Sequence, residues 1–144
     1  MQLVIGGSRR GLVQAVAAEL VAAGHAVDGI CHHLDLTPIA VQALRPLLCL
    51  LVAHRVDGSC RDVAASVQRR SPGSFVLLLT DTAPADVWAD FDAELLDAVV
   101  SMSRPFADLE AAVRATAAGS HDVVGFLRPG LRRMPAASHL AGRN

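Results

Sequence analysis

The sequence predicts a doubly wound α/β domain, with a parallel β-sheet covered by helices on both faces. Three observations carry that expectation. Leu47–Ala53 is a run of seven apolar residues and Phe75–Leu79 a run of five. Neither shows the alternation of a half-exposed strand, so both faces of each must be covered. Stretches with apolar residues at helical spacing separate the strand-like runs, and the connections are short. That alternation forces parallel pairing through right-handed crossovers. A length of 144 residues with 52% hydrophobic content suits one domain with a substantial core.

Taken in order, Leu3-Val4-Ile5 is a short apolar strand ending in Gly6-Gly7-Ser8. From Arg9 to Ala23, Leu12, Val13, Val16, Leu20 and Val21 recur at helical spacing, and Gly24 stops the helix. Ala26–Cys31 is the second strand and His32–Leu36 a loop; Thr37-Pro38 supplies an N-cap and first turn for a short helix to Leu44. Arg45-Pro46 leads into the central strand Leu47–Ala53, and Ser59–Arg70 is the third helix, ended by Ser71-Pro72-Gly73. Phe75–Leu79 finishes in Thr80-Asp81-Thr82. Pro84 opens an acidic fourth helix, with Asp86, Asp90, Asp92 and Glu94 around Val87, Trp88, Phe91 and Leu95. Ala98-Val99-Val100 is the fifth strand. The last helix runs from Phe106 to about Ala118, with Leu109 and Val113 inward and a Glu110–Arg114 pair outward. Beyond it, Ser120–Asn144 sets Arg128, Arg132, Arg133 and Arg143 against the single acid Asp122 among Gly and Pro, which reads as a basic tail or linker. The domain is therefore expected to span residues 1–119 and the tail 120–144.

Composition narrows the chemistry. The net charge of −1 makes no global electrostatic case for nucleic acid or a membrane. There is no Tyr, and all 13 basic residues are Arg, so chemistry requiring a lysine amine or a tyrosine hydroxyl is excluded. No apolar run approaches the roughly 20 residues of a membrane span, and Met1-Gln2-Leu3-Val4 lacks a basic segment ahead of an apolar one; a soluble, cytoplasmic chain is expected. Cys31, Cys49 and Cys60 are odd in number and lie in or beside strands, which favours reduced, buried thiols.

Gly6-Gly7-Ser8-Arg9-Arg10-Gly11 lies between strand and helix, where nucleotide loops sit. A phosphate loop would continue with Lys and Ser/Thr where Leu12-Val13 stand. A dinucleotide fingerprint would place glycine at Ser8 and an acid at His32-His33. The stretch resembles the opening of short-chain dehydrogenases, whose catalytic Tyr and Lys this chain lacks. A small nucleotide-binding protein or enzyme built on Gly6–Gly11 is the alternative reading, beside that of a tight glycine turn at a helix start.

Ser103-Arg104-Pro105-Phe106-Ala107-Asp108-Leu109 resembles the Lys-Pro-Phe segment that follows the fifth strand of response-regulator receiver domains, with Arg104 at the lysine. Thr80 matches that family's Thr/Ser switch position, and Val56-Asp57-Gly58 resembles the turn after its phosphorylated strand. The resemblance to CheY-like receivers covers residues 1–119 and implies a sheet in the order 2-1-3-4-5 with five helices. The Arg- and Ala-rich, Lys-free usage resembles that of high-GC actinobacteria. Together these suggest the N-terminal domain of an actinobacterial transcriptional regulator, reaching DNA only through a C-terminal domain that this chain does not contain.

The chain departs from the family at the chemistry. The Mg²⁺-holding acidic pair falls on Gly6 and Gly7 (or on Gly7 and Ser8), the phosphorylated aspartate on Ala53, and the aromatic switch position on Ser101. Mg²⁺ needs hard oxygen ligands, and a methyl group accepts no phosphoryl group. His54 and Asp57 do not repair the loss. The resemblance therefore implies a receiver that is no enzyme, holds no metal or cofactor, and is switched by a ligand or partner. Arg104 either pairs with Asp81 or Asp57 or binds an anionic group; Gly7, Ser8, Arg9, His54 and Thr80 are the other candidate ligand contacts. The glycines are expected to leave room there for more than Mg²⁺.

Three further constellations carry less. Cys31-His32-His33 lacks a second ligand pair at zinc spacing. Ser120-His121-Asp122 are sequence neighbours, which does not build a triad. Trp88, the one tryptophan, is either core or, if half-exposed, the mark of an interface with Asp90, Glu94, Glu110 and Arg114. The resemblance implies a homodimer through the fourth helix, fifth strand and fifth helix.

Overall fold

The computed structural model of the chain describes residues 2–90 and 95–118. Its elements run β1 (Gln2–Gly7), α1 (Arg10–Ala22), β2 (Ala26–Cys31), α2 (Thr37–Leu44), β3 (Leu48–Ala53), α3 (Gly58–Arg70), β4 (Phe75–Thr80), α4 (Pro84–Asp90), β5 (Ala98–Ser101) and α5 (Phe106–Ala117). The five strands form one parallel sheet in the order β2-β1-β3-β4-β5. The sheet is the expected doubly wound one.

β3 is central, and each of its six residues is buried. Leu48, Leu50 and Val52 face one helical layer with Val13, Val16 and Leu20 of α1 and Leu109, Ala112 and Val113 of α5. Cys49, Leu51 and Ala53 face the other, with Val41 of α2, Cys60, Val63 and Val67 of α3 and Val87 of α4. Both faces of one strand therefore anchor a layer each, which is why its sequence is apolar without alternation.

Several local expectations are corrected. Leu47 stands outside β3 and is 42% exposed; it belongs to the entry of the strand. Gly6 and Gly7 are strand residues paired with Leu51 and Val52, not a turn. α1 is one residue shorter at each end, and Gly24 at φ +97 accounts for the stop. The loop after β2 holds a 3₁₀ turn at Leu34–Leu36. Thr37 is not the cap of α2: Leu36 takes that position, and the Thr37 side chain is fully buried. Cys49 and Cys60 are buried free thiols, whereas Cys31 is half-buried at the edge strand. Burial pushes the Cys60 thiol up to about 11 and that of Cys49 higher still. Phe91, Asp92 and Glu94, and the tail with Ser120-His121-Asp122, lie outside the described residues. Among the described residues no helix is long and apolar enough to cross a membrane.

Candidate functional site

Register aligns the carboxyl ends of the strands: Gly7 pairs with Val52, Ala53 with Thr80, and Thr80 with Ser101. Open α/β sheets present their sites at this edge, in the crevice where strand order reverses, here between β1 and β3. The receiver-like positions can each be followed there.

Gly6 and Gly7 are closed by their neighbours. A Cβ on Gly6 would stand 1.9 Å from Thr37 Oγ1, and one on Gly7 would stand 2.6 Å from the Val52 carbonyl oxygen and 2.7 Å from Val13 Cγ2. The expected ligand room at the glycines is therefore not there: α2 and the β1–β3 contact take it up. Ala53 is buried at the end of β3. Where the acidic pair is aligned with Gly6 and Gly7, side chains at those two positions would collide with Thr37 and the Val52 backbone, so these positions do not fit the family's Mg²⁺ ligands. Among the described residues no group of three His, Cys, Asp or Glu side chains is placed to share a metal. His32 Nε2 lies instead 3.3 Å from Gln14 Nε2.

Thr80 is fully buried. Its hydroxyl donates to the His54 carbonyl at 3.2 Å and accepts from the Thr82 N–H at 3.2 Å. Asp81 N–H donates to the same carbonyl at 3.0 Å, and the His54 imidazole stands 2.9 Å (Nδ1) from Asp81 Oδ2. The Val56 N–H donates to Thr82 Oγ1 at 3.2 Å. The turns after β3 and β4 are thus joined by backbone and side chain together.

Arg104 pairs along α5. Its Nε stands 2.9 Å from Asp108 Oδ2, one turn along α5, and both side chains are partly exposed. Asp57 serves the backbone instead, since its Oδ1 accepts the Cys60 N–H at 2.9 Å and caps α3. Glu110 meets Arg114 as expected and also stands 3.4 Å from Nε2 of the buried His25, so it ties α5 to the start of β2. Trp88 is half-buried against the α2/α3/α4 layer.

The space at this edge is a cleft of 430 Å³ between the β1–α1 and β3–α3 turns. Of the candidate residues, Ser8, Arg9, Ala53 and His54 line it; Gly6, Gly7, Thr80 and Arg104 do not. Arg55, Asp35, Asp57 and Ser59 line it too, and sequence reasoning passed them over as contacts. Asp57 ahead of Gly58-Ser59 is a legible helix cap, but nothing in the local pattern aims Arg55 or Asp35 at the crevice. A second hollow of 540 Å³, bordered by Asp81 and Asp86, opens on the other side of His54.

No family model and no curated protein matches the sequence. Solved structures do resemble the fold. A LuxR-family two-component response regulator from Aurantimonas sp. SI85-9A1 superposes with a TM-score of 0.72 at 14% identity, covering 97% of this chain and 94% of that one. A CheY-like receiver domain from Methanospirillum hungatei JF-1 gives 0.70 at 14% identity, over 81% and 93%. The signal receiver domain of the response regulator NarL from Mycobacterium tuberculosis gives 0.65 at 20% identity, over 82% and 96%. With the strand order and the five helices, these similarities establish that the chain has the receiver fold of response regulators.

Proposed function

We propose that this chain is a receiver-type regulatory module that takes no phosphoryl group and is switched by a ligand or partner. The observation that carries the reading is the packing at Gly6 and Gly7. Side chains at Gly6 and Gly7 would meet Thr37 and the Val52 carbonyl, Ser8 stands at the other position the acidic pair can take, and the acceptor position is Ala53. The Thr80 hydroxyl, already donating and accepting within the protein, supports the same reading.

A response to phosphorylation in the manner of the family would need an acceptor carboxylate at the end of β3, where Ala53 stands. The experiment is incubation with acetyl phosphate and Mg²⁺ followed by intact mass, beside titration with Mg²⁺ and beryllium fluoride followed by amide chemical shifts. An unchanged mass and unchanged shifts at residues 53–57, 80–82 and 101–104 are expected. A phosphoryl adduct, or a saturable shift at those residues, overturns the reading.

Output through a homodimer of α4, β5 and α5, serving transcriptional control from the cytoplasm, is part of the proposal. Half-buried Trp88 supports it: an amphipathic aromatic at a surface is a common interface anchor. Sedimentation that finds only monomer across the micromolar range removes that part.

The nucleotide-loop alternative is not favoured. Gly6 and Gly7 are packed strand residues, and Gly11 lies inside α1. No glycine-rich loop remains to wrap a pyrophosphate.

A further inference from the structure

The cleft at the carboxyl ends of β1 and β3 brings together two arginines from separate turns. Arg9 closes the β1–α1 turn and Arg55 lies in the β3–α3 turn; both line the cleft. Among the described residues neither side chain has an ion-pair or hydrogen-bond partner, while Arg104 and Arg114 are held along α5. The N-cap of α1 and the first turn of α3 border the same space. Arg9 occupies the cap position of α1 and leaves its first N–H groups without a side-chain acceptor, and Ser59 of the first turn of α3 lines the cleft. Two guanidinium groups thus reach the cleft from separate turns, beside an uncapped start of α1.

The rest of the lining is of another kind. Leu34, Val52 and Ala53 give an apolar floor, and Asp35 and Asp57 place two carboxylates at its border. One oxygen of Asp57 is taken by the Cys60 N–H, which leaves the other, and both of Asp35, as acceptors facing solvent. A bare anion would use the arginines and be repelled by the acids. A ligand that satisfies the whole lining carries an anionic group for the arginines, hydroxyl donors for the carboxylates, and a carbon face for the apolar floor. The volume of 430 Å³ falls in the range of small organic ligands, about 300–1,000 Å³.

The geometry points to a phosphorylated polyol, the class of sugar phosphates, as the ligand of this cleft. Arg9 and Arg55 bind the phosphate, Asp35 and Asp57 accept hydrogen bonds from the hydroxyls, and the sugar carbons lie on Val52 and Ala53. Arginine suits the phosphate because its planar fork donates to two oxygens at once. The inference rests on the reading above, in which this edge is not occupied by a phosphorylated aspartate. It adds the chemistry of what binds there instead.

Calorimetric titration of the full chain with ribose 5-phosphate, inorganic phosphate and ribose tests it. Ribose 5-phosphate is expected to bind saturably and more tightly than inorganic phosphate, and ribose not at all. Arg9→Gln and Arg55→Gln, both at exposed positions, should each weaken ribose 5-phosphate by about tenfold or more, the loss of one charged contact. Asp35→Asn should weaken ribose 5-phosphate while leaving inorganic phosphate unchanged. Three results overturn the inference: no saturable binding of ribose 5-phosphate up to millimolar concentration, affinity no better than that of inorganic phosphate, or binding indifferent to both arginine variants. Each leaves the regulatory reading in place if beryllium fluoride is also silent, whereas a response to beryllium fluoride overturns that reading by itself.

Discussion

Gly6, Gly7 and Gly11 lie within six residues of one another and do different things. A methyl group on Gly7 meets the Val52 carbonyl oxygen at 2.6 Å, and that oxygen belongs to the central strand and cannot swing away. Gly7→Ala is therefore expected to lower the urea midpoint by an amount equivalent to about 1–3 kcal/mol, the usual cost of overpacking. At Gly11 nothing lies within 4 Å of the added methyl, and the residue sits in the first turn of α1. There the same substitution is expected to be neutral or stabilising by up to about 1 kcal/mol, since alanine loses less backbone freedom in a helix. Equal destabilisation at both positions would show that the close packing around Gly7 is not what matters. Asp57 offers a third case at this scale. Removing its carboxylate with Asp57→Ala strips the cap from the Cys60 N–H and should cost about 1 kcal/mol, read from the same midpoint.

At the scale of elements, β4 and β5 are joined at their amino ends by a buried acid. Asp97 is 2% exposed; its Oδ2 accepts the Val76 N–H at 2.8 Å, and its own N–H donates to the Val76 carbonyl at 2.8 Å. β4 begins next to this contact, so the carboxylate satisfies a strand N–H that β5 is too short to reach. Asp97→Ala is expected to destabilise by roughly 1–3 kcal/mol because it leaves that buried donor unpaired. Asp97→Asn, which keeps an acceptor oxygen, should cost less. Equal losses in the two variants, measured by denaturant unfolding, would assign the effect to something other than this hydrogen bond. Asp97 also shows where a sequence stops being legible. The runs 47–53 and 75–79 reveal their strands because burial on both faces writes itself into consecutive residues, and the order of the sheet follows from short connections. A lone acid before a strand reads as solvated loop, and only its partner 21 residues away makes it structural. Gly6-Gly7 reads as a turn for a similar reason. What requires glycine there is Thr37 on α2 and Val52 on β3, neither of them near in sequence. At the cleft, Ser8, Arg9, Ala53 and His54 are legible from their place at strand ends, whereas Arg55 and Asp35 come to it only through the fold.

For the molecule as a whole, the amino-acid usage sets an unusually simple alkaline titration. In model peptides carboxylates and imidazoles titrate below about pH 7, a terminal amine near 8, and arginine beyond about 12. With neither Lys nor Tyr in the chain, the three thiols are the only side chains left to ionise between those limits. Burial pushes each of them up in the folded protein. Cys60 moves from 9.0 to about 11, with Asp57 adding to the rise; Cys49 moves further; and Cys31 rises too, although the Thr37 hydroxyl works the other way. The unfolded chain therefore releases thiol protons near pH 9.0 that the folded chain keeps. Their contribution to stability is complete below that pH and is lost as the pH rises towards and past about 11. For Cys60 alone the gap corresponds to roughly 2–3 kcal/mol. Urea midpoints measured under reducing conditions are expected to be level up to about pH 9 and then to fall steadily. Replacing Cys49 and Cys60 by Ala should lower the neutral plateau, because each leaves a small cavity, and should flatten the alkaline limb. An alkaline limb equally steep in that variant would mean that the thiols do not govern the loss.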